Sequence, residues 1–150
     1  MKSFFAPLIS NQILWITLLA WTVAQLIKVL IGVIRKKRFD FRWFVGTGGM
    51  PSSHASGATA LAANCGLYVG FDSAIFALAA VFAMVTMFDA QGVRRSAGVQ
   101  ARLLNKILDD IYWKGKIEES RLMELIGHTP FEVLVGSLLG LTIAIVFYIY

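Results

Sequence analysis

The stretch "ILWITLLAWTVAQLIKVLIGVI", residues 13–34, decides the fold. A bilayer crossing takes about 20 consecutive apolar residues, and this run supplies them. Its polar exceptions are Gln25 and Lys28. Lys28 lies near the basic end, where its four-carbon stem can snorkel towards the interface. The chain as a whole agrees: 57% of its 150 residues are apolar, only 15% are charged, and the mean hydropathy is +0.69. Soluble domains carry about a quarter charged residues. The residues before the run hold one lysine, Lys2, and no small-residue cleavage site, so the segment reads as a retained span and not a signal peptide. The length supports one domain, residues 1–150. A single cysteine, Cys65, excludes an internal disulfide.

Three more segments fit the same frame. His54 to Gly70 is rich in Ala, Gly and Ser, which allow close backbone approach, so it is expected to be a span buried inside a bundle. Ser73 to Phe88 follows after the tight turn Gly70-Phe71-Asp72. Phe131 to Tyr150 ends in "VFYIY", an aromatic set suited to an interface. Between these last two lies the polar stretch Asp89 to Pro130. In its segment "VQARLLNKILDDIYW", Val99, Leu103, Leu104, Ile107, Leu108 and Ile111 recur at helical spacing. That predicts an amphipathic helix, lying on the membrane or packed against the bundle. The expected fold is all-α: a polytopic membrane bundle of about four spans plus one amphipathic cytoplasmic helix.

Charge sets the orientation. Arg35, Lys36, Lys37, Arg38 and Arg42 follow the first span. Arg94, Arg95, Arg102, Lys106, Lys114, Lys116 and Arg121 precede the fourth. With four spans, both loops share one side, which holds every Lys and Arg except Lys2 and Lys28. The positive-inside rule makes that side cytoplasmic and puts both termini outside, in a plasma (inner) membrane protein. The net charge of +5 is therefore read as lipid-facing, with no nucleic acid partner. Four short spans leave apolar surface suited to a homodimer.

Chemistry-bearing residues collect at that same face. In "TGGMPSSH", residues 47–54, the glycines permit unusual backbone angles, Pro51 suits a first helical turn, and Ser52 and Ser53 can cap the helix carrying His54. A helix N-terminus with free N–H groups receives anions. In "GHTPFE", residues 127–132, Thr129 and Glu132 form a T-x-x-E capping box with Pro130 at the first helical position. His128 stands just outside that helix start. Glu132, one turn on, can cap the helix or hold an imidazole N–H and fix its tautomer. In "FDAQGVRRSAG", Asp89 ends the third span and can pair with an arginine or cap the next helix. Arg94 and Arg95 are either positive-inside anchors or a phosphate fork. Two histidines and a basic cradle are the parts of a metal-free phosphoryl-transfer site.

At these residues the chain resembles the divergent branch of the type-2 phosphatidic acid phosphatase superfamily, related to vanadium-dependent haloperoxidases. The parent pattern is K-x6-R-P, then P-S-G-H, then S-R-x5-H-x3-D. "PSSH", Pro51 to His54, matches the second motif with Ser53 for glycine, and "HTPFE", His128 to Glu132, matches H-x3-D with glutamate for aspartate. The set "GTGGMPSSHASG", "FDAQGVRRSAGVQA" and "GHTPFEVLVGSLLG" is similar to the divergent branch itself, and the resemblance covers most of the chain after Arg35. It implies His128 as nucleophile, Glu132 as its orienter and His54 as the acid. It makes Ser52 and Ser53 part of the phosphate cradle. The first-motif lysine falls among Lys36, Lys37 and Arg42. The second-arginine role goes to Arg94 and Arg95, or to Arg121 through a shifted loop. The implied substrate is a lipid phosphate or diphosphate drawn from the membrane, hydrolysed with no cofactor and no metal. The alternative is an inactive lipid-phosphate binder or carrier of the same fold.

Overall fold

The computed structural model describes residues 5–37, 49–112 and 127–150, and every regular element among them is a helix. In chain order these are α1 (Phe5–Ile9), α2 (Gln12–Lys36), α3 (Ser53–Val69), α4 (Ala74–Gln91), α5 (Val93–Tyr112) and α6 (Pro130–Ile149). The starts of α2, α3, α4 and α6 are capped by local side chains. The Asn11 side chain accepts the Leu14 N–H, Ser52 accepts from Ala55, Ser73 from Phe76, and Thr129 from Glu132. The short α1 was not expected; the Trp15 indole N–H reaches back to the Leu8 and Ile9 carbonyls and holds it against α2.

Among the described residues α2, α4 and α6 are long and apolar enough to cross a bilayer. The expected span after His54 takes a different form. As α3 it has 17 residues, about 25 Å of helix, and carries Ser56, Thr59 and Asn64. Its shortness is compatible with its place, because α3 is the centre of the bundle, packed on α2, α4 and α6. Ser53, Ala55, Ser56, Gly57, Ala58, Ala60 and Asn64 are all buried.

The packing is inverted relative to a soluble protein. Alanine, glycine and serine fill the interior, whereas Ile34, Leu78 and Phe88 are more than 70% exposed. Lipid offers apolar side chains as good a surroundings as a protein core does, so close backbone contact decides what goes inside. At α3–α6 that contact is very tight. A Cβ on Gly136 would meet the Ser52 carbonyl, and one on Gly140 would meet the Ser56 carbonyl. The Ser56 hydroxyl donates to the Ala20 carbonyl of α2 at 2.9 Å, fastening the other side of α3. Ser137 on α6 donates to Val133 O and the Met87 sulfur, beside a small core of Ala55, Ala90 and Val133.

Two hydrogen bonds between elements fix which helix ends meet. The Ser52 N–H donates to Glu132 O at 3.1 Å, and the His128 N–H donates to Ala90 O at 3.0 Å. The starts of α3 and α6 and the end of α4 therefore share one end of the bundle. At the other end the Tyr68 hydroxyl meets the Phe147 carbonyl at 3.4 Å. A cavity of about 480 Å³ there, lined by Ile9, Trp15, Tyr68 and Phe147, lies away from both histidines.

Candidate functional site

The shared end brings both histidines together. His54 sits in the first turn of α3, and His128 lies two residues before Pro130 opens α6. Their ring centroids are 6.2 Å apart with the planes inclined by 58°. The two rings are thus close neighbours at one end of the bundle.

Glu132 does two jobs with one oxygen. Its Oε2 accepts the Thr129 N–H at 2.9 Å, closing the capping box, and lies 3.3 Å from His128 Nδ1. A carboxylate beside Nδ1 favours the proton of the neutral ring on that nitrogen. The cap and the contact to the imidazole thus share one carboxylate oxygen.

Lys28 is what the sequence reading left out of the site. It is partly buried on α2. Gly49, with φ +86, brings its backbone so close that a Cβ there would lie 3.3 Å from the Lys28 Cδ. Lys28 lies within electrostatic reach of the Glu132 carboxylate, and its own charge acts on His128. A signal for it exists in the chain: Lys28 and Arg35 are separated by six residues, the K-x6-R spacing of the first motif, although proline does not follow.

The other predicted residues are placed as follows. Ser52 and Ser53 are buried at the start of α3; the Ser52 amide and hydroxyl both bind backbone, at Glu132 and Ala55. Asp89 lies in the last turn of α4, one residue before the carbonyl that receives the His128 N–H. Lys36 and Lys37 stand exposed at the end of α2, about 12 Å along the axis from Lys28. Arg42 and Arg121 fall outside the described residues, as do the side chains of Arg94 and Arg95, whose backbone forms the first turn of α5. Among the described residues no three His, Cys, Asp or Glu side chains converge as metal ligands.

The electrostatics of His128 follow from this setting. Burial comes first and pushes its imidazole below the ordinary 6.5; the hydrogen bond and charge of Glu132 pull it back up, Lys28 pushes it down, and the Gly49 backbone raises it. Burial thus favours the neutral form of the ring. The signs give a test that needs no activity. Glu132→Gln removes a raising charge and should lower the His128 pKa further. Lys28→Met removes a lowering charge and should raise it. With only two histidines in the chain, labelled-imidazole NMR resolves both titrations. Shifts of the same sign in the two variants would contradict this arrangement.

Comparison with known proteins gives the same assignment. The Divergent PAP2 family matches residues 9–143. A Bacillus subtilis (strain 168) protein described as "Uncharacterized membrane protein YuiD" is 42% identical over 93% of this chain and 95% of its own length. No solved structure matches. With the two-histidine end and the membrane bundle in place, the chain belongs to the Divergent PAP2 family of membrane proteins.

Proposed function

We propose that this protein is a membrane phosphatase that hydrolyses a lipid phosphate or diphosphate at the cytoplasmic leaflet through a phosphohistidine. The observation that carries the reading is the 6.2 Å pairing of His54 with His128, the latter bearing a carboxylate on Nδ1. In the first step His128 Nε2 attacks phosphorus. The N–P bond forms as the P–O ester bond breaks, and His54 gives a proton to the leaving oxygen. In the second, water attacks phosphorus, the N–P bond breaks, and His54 takes the water's proton. Lys28 balances the charge of the transferring group. The site adjoins apolar helices, which suits a substrate whose tail stays in lipid.

The test is incubation of purified protein with radiolabelled lipid phosphates, followed by acid and alkaline treatment. An acid-labile, base-stable phosphoprotein together with phosphate release is the expected result. His54→Gln should reduce turnover about 10²- to 10⁴-fold, the usual range for loss of a general acid. It should do so least for substrates with a good leaving group, which need no proton. Saturable binding across a broad lipid-phosphate panel with no release would replace this reading by that of a non-catalytic binder. Robust release from a variant lacking both histidines would exclude the mechanism.

A further inference from the structure

The helix α5 has a pattern that the histidine site does not use. Its buried positions are Gly98, Ala101 and Asn105, spaced along one face, and α5 packs against α4. Its larger apolar residues Val99, Leu103 and Leu104 stand 42%, 58% and 51% exposed. A helix docked on a protein core buries its leucines and shows its small and polar side chains outward. Here the order is reversed, as on the lipid-facing sides of α2, α4 and α6.

Connectivity fixes where this face lies. α4 is one of the span-length helices and closes with the Gly92 N–H on the Phe88 carbonyl at 2.7 Å. Gly92 alone separates it from Val93, so α5 follows directly on a span-length helix. The charges along α5 complete the picture. Arg94, Arg95, Arg102 and Lys106 outnumber Asp109 and Asp110, and Arg102 is exposed. A basic helix with an uncovered apolar face, beginning at the membrane surface, matches an anionic interface.

We propose that α5 is seated in an anionic lipid surface, with Val99, Leu103 and Leu104 at the head-group–acyl boundary and Arg102 among lipid phosphates. The occupant of the uncovered face is therefore lipid and not a second copy of this chain. The seating also secures the end of α4, whose Ala90 carbonyl receives the His128 N–H. It holds whether or not His128 turns over substrate.

Spin labels test it on the full chain in lipid nanodiscs. In a Cys65→Ala background, cysteines replace Val99, Arg102, Leu103 and Leu104 one at a time. Labels at 99, 103 and 104 should be relaxed by oxygen, which partitions into lipid, and little by an aqueous nickel chelate. The label at 102 should show the opposite. Replacing anionic by zwitterionic lipid should shift 103 and 104 towards water. Arg102→Gln should weaken seating about fivefold, the equivalent of about 1 kcal/mol for one surface-proximal charge. Aqueous exposure at both leucines in anionic nanodiscs overturns the proposal. So does shielding from both reagents with spin–spin broadening, which marks contact between copies. Accessibility independent of lipid charge and of Arg102 overturns the anionic assignment.

Discussion

His128→Ala is expected to abolish phosphoprotein formation and to lower phosphate release on the order of 10³-fold or more. The magnitude follows from what the residue supplies. It is the proposed bond-forming residue, and the proposal gives the chain's other histidine, His54, the proton transfer instead. The loss should be in kcat with little change in substrate binding, since Lys28 and the backbone N–H groups of the helix starts remain. Folding is a competing explanation, as the His128 ring is 2% exposed. His128→Gln separates the two: it keeps the volume and a hydrogen-bonding atom but is no nucleophile. A well-folded glutamine variant with wild-type turnover would end the phosphohistidine reading.

Gly140→Leu is expected to destabilise the bundle by ~3 kcal/mol, the upper end of the usual cost of overpacking. The obstruction is the Ser56 carbonyl of α3, which is helix backbone and has no rotamer to move out of the way. Gly140→Ala shows the opposing term. Alanine is favoured over glycine in a helix by about 1 kcal/mol, yet its one methyl already enters the same carbonyl. The melting temperature in detergent should therefore fall from glycine to alanine to leucine. It should fall equally at all protein concentrations, because the contact lies within one chain. An unchanged melting temperature for leucine would show that α3 and α6 are not this close. Leu138→Ala, on a side 55% exposed to lipid, is the control and should change little.

The glycine pair also shows where sequence reading stops. Gly136 and Gly140 are spaced as in a G-x-x-x-G stripe, which by sequence is a face for another helix without saying whose. The tertiary structure answers with Ser52 and Ser56 of the same chain. Lys28 makes a similar point. Hydropathy marks it as an exception within a span, and only the approach of Gly49 and the nearness of Glu132 and His128 set it beside the histidine pair.

The long helices, the caps of four of them and the membrane character are legible in the chain, because these rest on local terms. Apolar run length, Asn11, Ser52, Ser73 and Thr129 at helix starts, and the capping box of Thr129 with Glu132 are all legible within a few residues. The sequence also determined that both histidines open helices at one end. Left to the packing of the helices are the distance between the histidines, the sharing of one Glu132 oxygen between cap and imidazole, and the burial of α3 against Gly136 and Gly140. These depend on how closely backbones separated by most of the chain can approach. That approach is set by the absence of side chains on α6 and by two backbone hydrogen bonds between helix ends, Ser52 to Glu132 and His128 to Ala90.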